Sequence, residues 1–265
     1  MVGDAYMTIE ELFRENNDKE WVFVSPGGNQ GDSMIYAGAR KLADKAQLKY
    51  KEISVRRGSP APQLDSCKII YVHGGGGWCT WWNWTPRMVK DLAEKHPNNQ
   101  IIIGPSTVAE QNWYIDKWFP KRKNMVFYAR ENTTYNYMKR QGVTLRRDHD
   151  TAFALEKGDR WLTPLLDGNP LKPFKLAAIR EDPESPDSLP ESVDLDYYDV
   201  VIDPCQTKNW GPLHLYATEI LTNRSHSAIL GAILGKKTKM FKGSYHKNKS
   251  IYDYSLKQMG VEWID

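Results

Sequence analysis

Arg224 and His226 stand one residue apart in Thr222-Asn223-Arg224-Ser225-His226-Ser227, directly before an apolar run of helical spacing that Gly235 ends. A guanidinium, an imidazole and the exposed N–H groups of a helix start together suit a phosphorylated or carboxylated substrate, because the free donors and the helix dipole favour an anion. The same residues also read as a helix cap with a surface arginine and a half-buried histidine. A second polar segment, Gly243-Ser244-Tyr245-His246-Lys247-Asn248-Lys249, follows closely, so the reactive side chains gather in the last quarter of the chain.

Three further loops fall where strands are expected to end. Pro26-Gly27-Gly28-Asn29-Gln30-Gly31-Asp32 follows a strand and opens a helix, but its glycines are misplaced for a dinucleotide fingerprint. Asn29 and Asp32 at a helix start suit sugar hydroxyls, or are simply a capped turn with Asp32 as the capping acid. His73-Gly74-Gly75-Gly76-Gly77-Trp78 carries four successive glycines. Their entropic cost implies a backbone passing close to a ligand or to a neighbouring lobe. Ala129-Arg130-Glu131-Asn132 sets Arg130 at a strand end, able to join Arg224 on a doubly charged anion, or else to pair with Glu131. Trp78, Trp81, Trp82 and Trp84 share one short segment; they suit stacking against a sugar ring, and core packing accounts for some of them.

Composition narrows the classes. A net charge of +3 over 265 residues, with Lys and Arg scattered, disfavours nucleic acid as a partner. Cys67, Cys79 and Cys205 lack metal-ligand spacing and read as reduced core cysteines. Asp148-His149-Asp150 has the spacing of a metal-binding acidic triplet, no residue set clearly marks a metal site, and a metal requirement stays open. No stretch has the length and apolarity of a membrane span, and a soluble cytoplasmic protein is the expectation.

The elements that must hold these loops alternate as βα units, which predicts an α/β fold with mainly parallel sheets. Strands are expected at 21–25, 50–55, 68–73, 100–104 (stopping at Pro105) and 125–129, with helices at 32–46, 85–95 and 133–141. Later strands are expected at 174–180, 198–202, 238–241 and 261–264, with helices at 212–222, 225–234 and 250–259. The rhythm restarts after the basic turn 120–124, which suggests two Rossmann-like lobes facing a cleft, residues 1–122 and 123–265. The acidic, proline-bearing stretch Glu181-Asp182-Pro183-Glu184-Ser185-Pro186-Asp187 reads as a solvated loop.

In their order and spacing these segments resemble the polysaccharide pyruvyltransferase family, particularly its short exopolysaccharide members. The resemblance rests on Gly28-Asn29-Gln30-Gly31-Asp32-Ser33, the glycine run, Gly104-Pro105-Ser106-Thr107, Phe127-Tyr128-Ala129-Arg130-Glu131 with Tyr135, and Asp150-Thr151-Ala152. It continues through Arg180-Glu181-Asp182-Pro183-Glu184, Thr222 to His226, and Gly243 to Asn248 leading to Tyr252 and Ser255. It implies a glycosyltransferase-B-like fold that moves a pyruvyl group from phosphoenolpyruvate, a co-substrate, onto a hydroxyl pair of a glycan as a cyclic ketal. No tightly bound cofactor is implied. His226 and Arg224 are then the catalytic pair. Arg130, Arg224, Ser225, Tyr245, Lys247 and Asn248 bind the donor, and Asn29, Gly31, Asp32, Gly75, Gly76 and Trp78 bind the acceptor sugar. The chain departs from the family at Asn223, where Asp is usual, and at Ser225, where Leu is usual. The rival activities are a nucleotide-sugar glycosyltransferase on the same scaffold and a non-catalytic sugar-binding protein.

Overall fold

A computed structural model of the chain describes residues 7–56, 58–64, 69–109, 119 and 122–265. Its contacts divide into two compact units, Met1–Gly28 with Ile35–Ala154, and Asn29–Met34 with Leu155–Asp265. Cys67 and parts of the 120–124 turn lie outside the described residues.

The first unit holds strands β1 (Trp21–Ser25), β2 (Tyr50–Ser54), β3 (Ile69–Val72), β4 (Gly75–Trp78), β5 (Gln100–Val108), β6 (Met125–Ala129) and β7 (Leu145–Arg147). Its helices include α1 (Ile9–Glu15), α3 (Trp84–Lys95) and α4 (Asn132–Arg140), and the greater part of α2 (Gln30–Lys45). The sheet runs β2-β1-β3-β5-β6-β7 with β4 beside β5, and every pairing is parallel. Residues along the strands alternate between two apolar clusters. Val24, Val72, Ile103 and Phe127 pack with Met88, Val89, Leu92 and Met138. Phe23, Tyr71, Ile102 and Tyr128 pack with Ile9, Phe13, Ala39 and Ala43. Helices on both faces explain why these strands read as nearly continuous apolar runs.

The second unit holds a parallel sheet of order β12-β11-β10-β8-β9, formed by β8 (Phe174–Ala178), β9 (Val200–Ile202), β10 (Ala217–Thr222), β11 (Lys237–Phe241) and β12 (Glu262–Ile264). Its helices include α5 (Thr163–Leu166), α6 (Trp210–Tyr216), α7 (Ser225–Ile233) and α8 (Lys247–Ile251). Strand order reverses between β1 and β3 in the first sheet and between β8 and β10 in the second. Loops leaving the carboxyl ends of such strand pairs are where open parallel sheets bind ligands.

Most expected elements appear within two or three residues of their bounds, and the exceptions have physical causes. Strand β5 does not stop at Pro105 but runs to Val108, because the register shifts between Ile103 and Ser106 and the missing proline N–H falls at that irregularity. The expected helix over 212–222 is helix only to Tyr216; Ala217–Thr222 is β10, the middle strand of its sheet. Strand β6 was expected to open the second lobe, yet it pairs with β5, and β7 pairs with β6, so the second sheet begins only at Phe174. The last expected helix, 250–259, begins earlier as α8 and continues as a wide turn, Tyr252–Leu256, and a tight one, Lys257–Met259.

Helix α6 supplies a pH-sensitive contribution to stability. His214 is fully buried, its Nδ1 lies 2.6 Å from the carbonyl of Trp210, and burial pulls its pKa down to about 4 against that bond. The unfolded chain takes up this proton near pH 6.5, so stability is level above that value and falls as pH drops toward 4. The loss attributable to His214 is at most about 3 kcal/mol. Urea denaturation of the wild type and of His214→Gln at pH 7 and pH 4.5 should show a smaller acid-induced loss in the variant.

Candidate functional site

Three neighbouring strands of the second sheet end in charge. Beyond β8 come Arg180, Asp182 and Glu184; beyond β9 comes Asp203; beyond β10 come Asn223 and Arg224. Arg180 holds Asp182 by a paired contact, Nε to Oδ1 at 2.8 Å and Nη2 to Oδ2 at 2.9 Å, and its Nη1 reaches Glu184 at 2.8 Å. Glu184 also accepts from Lys247 Nζ. Arg224 donates from Nε to Asp203 Oδ1 at 2.6 Å and from Nη2 to both Asp203 Oδ2 and Asp182 Oδ2. Among the described residues its Nη1 makes no hydrogen bond.

The stretch expected to be a solvated loop is therefore the counter-charge of the site. Burial alone would raise the Asp182 carboxyl, but the Arg180 guanidinium draws it down to about 2. Burial likewise opposes ionisation of Glu184 and is outweighed by Lys247 and Arg180; for Asp203 it is outweighed by Arg224. Arg180 is buried too, and the Glu184 and Asp182 carboxylates more than offset that burial and hold its pKa above the ordinary arginine value. The alternating Arg180, Asp182, Glu184 spacing was visible in the sequence. What was hidden was the identity of their partners, which lie 42 and 63 positions along the chain.

A second layer of hydrogen bonds fixes the backbone beneath. Thr222 Oγ1 donates to the carbonyl of Ala178 and accepts the N–H of Arg224. Asn223 Oδ1 accepts the N–H of Arg180 at 2.7 Å, which ties the end of β10 to the end of β8. Asn248 donates to the carbonyls of Asn223 and Phe241 and accepts from Ser225 Oγ at 2.8 Å. Ser225 begins α7, as expected, with Arg224 in the capping position but making no side-chain cap bond. Tyr245 stacks edge-on against His246, and Lys247 Nζ lies 5.3 Å from the Tyr245 ring centre.

His226, half-buried in the first turn of α7, meets the first turn of α2. A Cβ at Gly31 would stand 2.4 Å from His226 Nδ1 and 2.7 Å from Cγ, so only glycine allows this approach. Asn29 and Asp32 cap that turn reciprocally: Asn29 Oδ1 accepts from Gly31 N–H at 2.8 Å, and Asp32 Oδ2 accepts from Asn29 N–H at 2.9 Å. The N–H of Gln30 reaches the carbonyl of Cys205 at 3.3 Å.

The remaining expected site residues belong to the first unit. Arg130 is buried and donates to Asp150 at 2.6 Å and to Thr107 Oγ1 at 2.8 Å. Glu131, its alternative partner, instead caps α4 through the N–H of Thr134. Asp150 also accepts from the N–H of Ala152, and Asp148 from that of Ile9. Among the described residues no cluster of His, Cys, Asp and Glu has metal-binding geometry. Gly75 and Gly76 lie in β4, and the glycine run answers to β5: a Cβ at Gly74 would stand 2.1 Å from the carbonyl oxygen of Pro105. Trp78 does not face a sugar. Its indole is 1 % exposed, edge-on to Phe127 at 5.3 Å, because β4 turns it into the core, whereas Trp81 is 41 % exposed.

Two parallel α/β sheets, one ending in a charged cluster beside a helix start, define an α/β protein of the open-sheet class. The polysaccharide pyruvyl transferase family profile matches residues 18–209, well over half of the chain, and the protein belongs to that family. Arg224, His226 and Lys247 fall beyond the matched span. Among solved structures, the fold is similar to that of a functional uncharacterized protein, KP1_0663, from Klebsiella pneumoniae subsp. pneumoniae NTUH-K2044, at 22 % identity and a TM-score of 0.69, covering 97 % of this chain and 96 % of that one. No curated protein matches the chain. No described helix is long and apolar enough to cross a membrane.

Two outcomes follow from the geometry. Glu184→Gln leaves Lys247 and Arg180 buried without their shared carboxylate and should lower unfolding free energy by on the order of 3 kcal/mol, read from urea denaturation. Gly31→Ala must push the His226 ring aside, which should move the His226 imidazole resonances in NMR spectra and reduce any His226-dependent turnover about 100-fold.

Proposed function

We propose that the protein transfers a pyruvyl group from phosphoenolpyruvate to two hydroxyls of a glycan, forming a cyclic ketal and releasing phosphate. The observation that carries this reading is the end of β10: an arginine locked on one edge by Asp203 and open at Nη1, followed by a helix start and a half-buried histidine. Family membership supports a transferase acting in polysaccharide biosynthesis.

Ketal formation from an enol phosphate begins with a proton delivered to the methylene carbon, which leaves C2 electron-poor. One sugar hydroxyl attacks C2 and gives up its proton. Phosphate then leaves with its bonding electrons, and the second hydroxyl attacks C2 and gives up its proton. His226 is the group assigned to donate the first proton and recover one from a hydroxyl, since one imidazole can serve as both acid and base. Arg224 and the first N–H groups of α7 take the donor's anionic groups, with Lys247, Tyr245, Ser225 and Asn248 shaping the same region. Asn29, Gly31 and Asp32, which belong to the same unit as Arg224 and His226, are assigned to the acceptor sugar. The Asp182 and Asp203 carboxylates hold Arg224 ready, so its orientation is set before the donor arrives.

The test is phosphate release from phosphoenolpyruvate in the presence of candidate glycans. His226→Ala should lower turnover by roughly two to four orders of magnitude with donor affinity nearly unchanged, whereas Arg224→Ala should weaken donor binding. A wild type that releases no phosphate with any glycan but consumes a nucleotide sugar overturns the pyruvyl reading in favour of a glycosyltransferase.

A further inference from the structure

Helix α7 covers one face of the second sheet, where Gly231 packs against Ile220 and Thr238. Their neighbours Leu221 and Lys239 turn to the other face, since side chains alternate along a strand. That face is covered by the connection from β8 to β9, residues 179–199, whose regular structure is one tight turn, Leu195–Tyr197. Although β9 lies beside β8, the connection swings across the sheet. Val193 and Leu195 pack into one cluster with Leu221 and Phe241, and Val193 shares a cavity with Ile264 on the far edge strand. A connection longer than about 15 residues with so little regular structure is uncommon in a compact unit and usually functional.

The cavity beneath this detour measures about 230 Å³. Tyr198, which lines it, is 9 % exposed, and its hydroxyl makes no hydrogen bond among the described residues. Burial and then the Glu219 carboxylate push that hydroxyl to a pKa of about 12, so it remains a neutral donor. Ser192 Oγ and Asp194 Oδ2, at the exposed side of the cavity, are likewise unengaged, while Asp194 Oδ1 accepts the N–H of Asp196. Lys239 Nζ lies 3.2 Å from Glu219 Oε1 and has further hydrogens to donate. Lys175 Nζ sits 3.5 Å from the centre of the Tyr197 ring and holds it at the cavity's edge. Donors and acceptors are thus mixed over an apolar floor of Val193, Leu221 and Ile264. An anion there meets the Asp194 and Glu219 carboxylates, a cation meets Lys239, and an apolar ligand buries these polar atoms unpaired. A pyranose satisfies both kinds of wall, with its C–H face on the apolar floor and its hydroxyls donating and accepting at the edge. The volume is below the roughly 300 Å³ at which pockets for larger ligands begin, which limits the occupant to one ring.

We propose that this cavity is a second saccharide site, holding one pyranose unit of the glycan that the preceding section assigns as acceptor. The proposal rests on that glycan reading and is independent of the pyruvyl donor, since no lining residue belongs to the cluster at the end of β10. A sugar held there anchors the chain while another unit of the same glycan reacts.

The test is saturation-transfer difference NMR on the full chain with the methyl glycosides of glucose, galactose and mannose, with phosphate release from phosphoenolpyruvate followed in parallel. At least one glycoside should bind the wild type. Tyr198→Phe should weaken it about 5- to 10-fold without lowering the melting temperature, because the hydroxyl it removes has no partner in the unliganded protein. Ser192→Trp, at an exposed position, should block the cavity and weaken binding more than 10-fold, and it decides the matter if Tyr198→Phe does not fold. Binding that both variants weaken, in a wild type that releases no phosphate, upholds the saccharide site and removes the pyruvyl reading. Phosphate release without glycoside binding, or equal glycoside affinities in the wild type and both variants, overturns the site and leaves the pyruvyl reading standing.

Discussion

Three cations and three carboxylates, Arg180, Arg224 and Lys247 with Asp182, Glu184 and Asp203, meet where β8, β9 and β10 end. Each charge taken from water carries a desolvation cost that only well-placed partners offset, so none of the six can move alone. The network contributes geometry more than stability. It draws the 181–185 segment onto the sheet, where Ser244 N–H and the close approach of Gly243 clasp the Glu184 carbonyl, and it presents Arg224 with one edge committed and the other open.

Below that charged layer, neutral hydrogen bonds do the fine positioning. Asn248 ties the end of β10 to the end of β11, Thr222 bridges to β8, and Asn223 ties its strand to Arg180. Because these bonds converge on Thr222 to Ser225, the direction in which α7 starts is fixed by groups other than its own cap. That is why Arg224 can sit at the capping position without bonding to the helix. Glycine completes the arrangement: Gly31 gives up a side chain so that the first turn of α2 can lie against His226.

The first unit is organised on a different principle. Its sheet is held by two apolar clusters, with Arg130 and Asp150 buried as a pair beyond β6 and Arg40 of α2 reaching Glu52 of β2. There the glycine run serves the sheet itself, letting β4 and the chain before it pass against β5. Aromatic residues follow the same logic, Trp78 filling the core while Trp81, a few residues later, keeps a large exposed face.

The sequence by itself determined the parallel α/β class, the bounds of most strands and helices, and the helix start at Ser225, because these depend on local periodicity that adjacent residues carry. It also carried the resemblance that the family match bears out. Tertiary structure decided what local pattern cannot encode. Ala217–Thr222 follows a helix with no turn residue between, and only its place between β8 and β11 makes it a strand. Strand β6 looks the same whether it opens a sheet or extends one, and pairing with β5 settles it. An acidic loop rich in proline reads as solvated until partners dozens of residues away bring their charges to it. The physical reason is common to all three: side-chain burial and ion pairing are properties of neighbours in space, and those neighbours are named only when the chain has folded.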